Sequence, residues 1–196
     1  NLSYNNTTVG GLSGFDYDAA SKTYYFISDD RSAINEARFY TATIDFTSKG
    51  IDSIYFTGVH NLLQADGKPY PSGKQDPVHT PDPEAIRYNP LTRQLVWSSE
   101  GERIVNQKDT VLENPEVNTI STAGNYIAGY TLPTNLIMQP TSKGPRQNGV
   151  LEGMSFADNY KTLFVNVEKP LYEDGPRADV KETNSFIRLL KFDVAS

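Results

Sequence analysis

Apolar and polar positions along the chain fall into one pattern, written three times. A short alternating run is followed by a polar break and then by a run rich in β-branched and aromatic residues. The three copies align without gaps: SGFDYDAASKTYYFISD at 13–29, EAIRYNPLTRQLVWSSE at 84–100 and EGMSFADNYKTLFVNVE at 152–168, each 17 residues long. Alternation with a period of two predicts strands. The breaks DAASKT, NPLTRQ and ADNYKT hold the Asp, Asn, Pro and Ser that favour tight turns. Each copy therefore predicts a β-hairpin with its turn near residue 21, 92 or 160.

Each hairpin is followed, after a variable loop, by a third strand-like run: RFYTATIDF at 38–46, YIAGYTL at 126–132 and SFIRLLKFDV at 185–194. The copies recur at offsets of 71 and 68 residues. Short antiparallel sheets repeated in sequence predict an all-β fold, a β-propeller, of which this chain supplies about three blades. Closure takes about four to eight blades, so the expectation is one propeller domain over 1–196 that continues beyond the last residue. The competing reading is a β-sandwich with coincidental repeats. The stretches 57–83 and 101–125 are expected to be long inserted loops, of the kind that carry function.

The hairpins bear directly on chemistry, because acids stand at their open ends. If each turn is centred midway, Glu84 faces Glu100 and Glu152 faces Glu168, while Ser13 takes the acid's place opposite Asp29, with Asp30 next to it. Carboxylates opposed at about 5 Å repel unless a cation or an arginine lies between them. This reading depends on register, since a slip of one residue puts the two side chains on opposite faces. In a propeller all six acids would crowd one rim. A ring of Glu84, Glu100, Glu152 and Glu168 is the donor set of a hard cation, with Ca²⁺ expected, and Asp29 and Asp30 join them as candidate catalytic acids. Arg31 and Lys169 are candidate substrate-binding cations, although Arg31 could instead neutralise Asp29 or Asp30. Arg103 and Arg146 could reach the same rim, and His79 could serve there as a general acid.

Composition narrows the field. Hydrophobic residues make up 37% and charged residues 21%, which suits a globular chain. The net charge of −6 argues against a nucleic-acid partner. There is no cysteine, hence no disulfide, thiolate ligand or thiol nucleophile. No apolar run approaches the roughly 18 residues of a membrane span. No phosphate-binding glycine loop or G-x-S-x-G elbow is present. Trp97, mid-strand, is expected in the core.

The segments GGLSGFDYD (10–18), YYFISDDRS (24–32), RFYTATIDF (38–46), DPEAIRYNP (82–90), WSSEGER (97–103), NGVLEGMSFADNYKTLFVNVEKPLYEDG (148–175) and RLLKFDV (188–194) resemble the phytase-like family, the group described as esterase-like activity of phytase. The resemblance runs over nearly the whole chain. It implies an extracytoplasmic β-propeller, periplasmic, secreted or anchored to the cell surface. It also implies hydrolysis of a small phosphate ester or another ester, with the recurring acids at Asp29, Asp30, Glu84, Glu100, Glu152 and Glu168. Family does not fix reaction, so two alternatives stand beside a phosphate-ester hydrolase: a non-catalytic ligand-binding propeller, and a calcium-dependent lactonase or carboxylesterase.

Overall fold

A computed structural model describes residues 2–178 and 184–194. The chain is built from β-strands: β1 (Ser3–Tyr4), β2 (Thr7–Thr8), β3 (Leu12–Asp18), β4 (Thr23–Ser28), β5 (Arg38–Thr47), β6 (Gly50–Asn61), β7 (Pro83–Asn89), β8 (Gln94–Ser99), β9 (Glu102–Val105), β10 (Thr110–Glu113), β11 (Glu116–Ser121), β12 (Tyr126–Gly129), β13 (Leu151–Ala157), β14 (Thr162–Val167) and β15 (Leu189–Asp193). Two short 3₁₀ turns, Thr134–Leu136 and Tyr172–Asp174, are the only helical pieces among the described residues.

Three antiparallel sheets follow one another along the chain. Their strand orders are β3-β4-β5-β6, β7-β8-β11-β12 and β13-β14-β15. The three predicted hairpins are therefore the first two strands of each sheet. Their turns fall where the polar breaks place them, with Lys22 and Arg93 in left-handed backbone at φ 57° and 56°, at equivalent positions of the first two copies. The first strands of neighbouring sheets lie side by side, β3 against β7 and β7 against β13. This is blade-like stacking, and no closed ring forms among the described residues.

Two expectations about the loops fail. The stretch 57–83 opens as the second half of β6, which pairs with β5 over its length, so the loop begins only after Asn61. The stretch 101–125 holds the hairpin β9–β10 and then β11, the true third strand of the second sheet. The run at 126–132 supplies the fourth strand, β12. Charged and polar residues in ERIV, TVLE and EVNTIS hide these strands from an apolar-alternation test.

Packing explains why the middle sheet is the most buried. It is covered on both faces. Ile86, Tyr88, Leu95 and Trp97 point toward the first sheet and pack with Tyr25, Ile27 and Phe39. Ala85, Val96 and Val117 point the other way and pack with Leu151, Met154, Leu163 and Val165 of the third sheet. Trp97 is fully buried, as expected. Burial of a large side chain is worth about 1.5–3 kcal/mol, so this two-sided core dominates the stability of the array. The outer face of the first sheet instead carries an aromatic ladder, with Phe15 stacked on Phe26 at 5.7 Å and Tyr17 on Tyr24 at 4.4 Å.

Arg87 ties the three sheets at their first strands. Its guanidinium donates to the carbonyls of Met154 (2.7 Å), Phe15 (3.0 Å) and Ile86 (2.6 Å). Close approach of β3 to β7 also needs a glycine: a Cβ on Gly14 would lie 2.8 Å from the Glu84 carbonyl oxygen.

Candidate functional site

The acids do gather at the ends of the hairpins, through a register other than the one expected. In the second hairpin Ile86 pairs with Trp97, but Pro83 pairs with Ser99, so Glu84 and Ala85 together oppose Ser98. That is a β-bulge. The third hairpin slips in the same place, with Glu152 the extra residue between Leu151 and Gly153. The first does so at Ser13, between Leu12 and Gly14. Glu84 and Glu152 are thus bulge residues and face no acid across the ladder.

The acids at the far ends pair elsewhere. The Glu100 amide donates to the Asp82 carbonyl (3.0 Å), that of Glu168 to Val150 (2.7 Å) and that of Asp29 to Gly11 (2.8 Å). The expected oppositions Glu84–Glu100, Glu152–Glu168 and Ser13–Asp29 are therefore corrected, in all three copies by the same extra residue. A bulge re-aims its side chains, and here it turns them toward a common centre.

Two overlapping carboxylate groups result. Asp82, Glu84 and Glu100 each offer an oxygen within 4.8 Å of the other two, and so do Glu100, Glu152 and Glu168. Glu100 belongs to both and is 3% exposed. One of its oxygens, Oε1, accepts the Val150 amide at 2.9 Å, fixing it to the start of the third sheet. All four glutamates expected to hold a metal are thus brought together, and Asp82 joins them. Sequence repetition could not flag Asp82, because Gly11 and Val150 stand at its positions in the other copies.

Electrostatics mark this as a site under tension. Burial, followed by the charges of Glu152, Asp82 and Glu100, pushes Glu84 up to about 9. Burial and the adjoining Glu100 carboxylate, which also shares a hydrogen bond with it, push Glu152 up to about 7. Burial raises Asp82 to about 6 against the opposing pull of Arg31. Several buried carboxylates that cannot all ionise are what a hard cation relieves. The donors are all oxygen, they come from two sheets, and they are partly shielded from water, so they fit Ca²⁺ better than a soft metal.

The flanking residues sort differently from expectation. Asp29 stands near enough to repel Glu84 and Asp82, and burial with the Asp30 charge raises its own pKa, but it belongs to neither carboxylate group. Asp30 is an anchor for the fold, because it pairs with Arg38, which is 1% exposed and also binds Tyr40 and Thr8. Arg31 neutralises neither Asp29 nor Asp30. It bridges Asp82 and Glu102, at 2.8 Å to each. Lys169 pairs with Glu168 at 3.0 Å and also reaches the Asn148 carbonyl. Arg103 and Arg146 do not join the acids; both stack on the Tyr172 ring and hold loop carbonyls. His79 is exposed, pairs with Asp76 at 2.8 Å and belongs to neither carboxylate group.

A cleft of about 430 Å³ adjoins the acids, lined in part by Arg31, Ser32, Lys74, Glu102, Ile104 and Val111. Through Arg31 its wall touches Asp82. Among the described residues no helix is long and apolar enough to cross a membrane.

Comparison with known proteins places the chain. Two solved structures share a weak likeness in fold. A periplasmic gluconolactonase of Pseudomonas aeruginosa aligns at 11% identity and a TM-score of 0.37, over 96% of this chain and 59% of its own. A putative 6-phosphogluconolactonase of Bacteroides uniformis aligns at 10% identity and a TM-score of 0.34, over 94% of this chain and 57% of its own. The chain thus spans less than two thirds of either protein. No curated protein matches it. Residues 7–196 match the phytase-like family, described as esterase-like activity of phytase, and the chain belongs to that family.

Proposed function

We propose that this chain carries the acidic site of a metal-assisted ester hydrolase, with a phosphate ester as first candidate substrate. The observation that carries the proposal is the pair of carboxylate groups sharing one buried residue, Glu100. Asp82, Glu84, Glu100, Glu152 and Glu168 would hold the cation, Ca²⁺ by donor type. Once bound, the ion would supply charge to a phosphoryl or carbonyl oxygen and acidify a water.

The chain's own residues do the rest. Arg31 holds Asp82 in place and lines the adjoining cleft. Lys74, exposed on the same cleft, favours an anionic substrate. Without the ion, burial raises Glu84 to about 9 and Glu152 to about 7, so whichever of the two does not bind the ion is the candidate proton carrier. Either one, where it stays clear of the ion, can hand a proton to the leaving oxygen. An extracytoplasmic location, expected from the family, goes with this reading and is checked by cell fractionation.

The second reading is a calcium-dependent lactonase or carboxylesterase, and the family's esterase-like description favours it. The test is hydrolysis of a phosphate monoester, an aryl acetate and an aldonolactone, each with Ca²⁺ and with EDTA, by wild type and by Glu100→Gln. Chelator-sensitive release of phosphate, lost in the variant, supports the first reading. Chelator-sensitive turnover of acetate or lactone alone moves the assignment to the second. Turnover indifferent to both chelator and variant removes the acids from the chemistry.

A further inference from the structure

A second cavity, of about 230 Å³, lies between the loop that follows β6 and strands β10 to β12, and none of the five clustered acids lines it. Its lining includes Tyr70, His79, Glu113, Glu116, Asn118 and Tyr126. The hydrolase reading uses none of them.

Glu113 is the residue that calls for an explanation. It is 8% exposed, yet its Oε2 has no hydrogen-bond partner. Among the described residues no donor serves either oxygen of its carboxylate. Burying a carboxylate without a partner is expensive, and such groups are normally paired. Among the described residues the cation that acts on Glu113 is Arg31, and it is already committed, bridging Asp82 and Glu102. Other charges around Glu113 are acidic: Glu116, Asp82 and Glu102. Burial pushes Glu113 up to about 8.

The remaining lining selects among cations. Glu116 adds a second carboxylate, held by the Asn118 side-chain amide at 2.7 Å. Tyr70 and Tyr126 add two aromatic rings. Calcium would want six to eight oxygens, and two carboxylates with an amide supply too few. Aromatic faces beside carboxylates suit a weakly hydrated organic cation instead. His79 stands at the cavity but is paired with Asp76. We propose that this cavity binds a small organic ammonium ion, with Glu113 and Glu116 supplying the charge and Tyr70 and Tyr126 the aromatic walls.

The chain's single tryptophan gives a built-in reporter, since the Tyr70 ring sits edge-on to Trp97 at 5.9 Å. The experiment is an NMR titration of the full chain in EDTA with choline and with tetramethylammonium. The neutral isostere 3,3-dimethylbutan-1-ol serves as control. Saturable shifts at Tyr70, Tyr126 and the Trp97 indole are expected with the cations and not with the alcohol. Glu113→Gln should weaken binding about tenfold or more, as loss of a buried charge partner does. Glu116→Gln, on an exposed side chain, should weaken it several-fold and keeps the test intact if Glu113→Gln fails to fold. The proposal is overturned if nothing saturates by about 50 mM, a concentration at which even millimolar affinity shows. It is equally overturned by equal binding of the alcohol, by unchanged affinity in both variants, or by shifts at these residues that answer Ca²⁺ and not ammonium.

Discussion

Replacing Glu84 by Gln should stabilise the metal-free protein, and only above acidic pH. In the folded chain the carboxyl is pushed from 4.5 to about 9, chiefly by burial. A carboxyl raised in this way keeps its proton in the native state while the unfolded chain loses it. The native state then binds more protons, and stability falls as pH rises. The stability is fully present below about pH 4.5, declines through neutrality and is lost by about pH 9. At about pH 7 the gap from the unfolded value corresponds to about 3.4 kcal/mol, taking about 1.36 kcal/mol per unit. Glu84 keeps part of its side chain in water, and solvent screening reduces this to about 1–2 kcal/mol. Glutamine carries no such cost, so Glu84→Gln should gain that amount at about pH 7 and almost nothing at about pH 4.5. The assay is urea unfolding in EDTA, followed by the emission of buried Trp97. With Ca²⁺ the sign should invert, because wild type then gains about 2.7 kcal/mol at a hundredfold excess over Kd and the variant forfeits part of it. A lower urea midpoint for Glu84→Gln in EDTA at neutral pH would refute the reasoning, as would an equal gain at acidic and neutral pH.

Other substitutions separate the site from its scaffold. Glu100→Gln keeps an acceptor for the Val150 amide but removes the charge common to both carboxylate groups. It should abolish the Ca²⁺-dependent rise in melting temperature and lower hydrolysis by about a hundredfold or more. Asp30→Asn strips buried Arg38 of its counter-ion and should cost about 3 kcal/mol by chemical denaturation, while the increment from Ca²⁺ stays intact. Arg31→Gln frees Asp82 and Glu102 from their shared partner, so the melting temperature in EDTA should drop more than that in Ca²⁺. Gly14→Ala drives a methyl group against the Glu84 carbonyl. It should destabilise by about 1–3 kcal/mol and weaken calorimetric Ca²⁺ affinity as well.

The hairpins were legible because they rest on local signals. Polar breaks set the turns, and the runs YYFIS, LVWSS and LFVNV needed no partner to read as strands. The acids were legible as a recurring position and not as a geometry. An inserted residue at Ser13, Glu84 and Glu152 leaves the 17-residue spacing untouched while changing every cross-strand partner beyond it. Register of this kind is a property of the paired backbone, which a single strand's alternation does not encode. Strands β6 and β11 were missed for different reasons: GIDSIYFTGVHN buries little of either face, and EVNTIS puts the polar Asn118 at a buried position, so neither shows a clean apolar alternation. Asp30 shows the converse error. Its place beside Asp29 suggested the rim, yet its partner is Arg38, eight residues on, whose burial no local pattern announced.

Ser13 shows what duplication allows a protein to do with a spare part. It occupies the bulge that holds a glutamate in the other two copies, and its hydroxyl donates to the Glu84 carbonyl at 2.8 Å. At this position the first repeat supplies no carboxylate and instead clasps the backbone of the second. The three repeats are therefore not interchangeable: two place a glutamate at the bulge, and one places the clasp that holds its neighbour. Ser13→Glu would add charge and at the same moment release the neighbour that must be held, so an acid in all three bulges would come at the expense of the contact between the first two sheets.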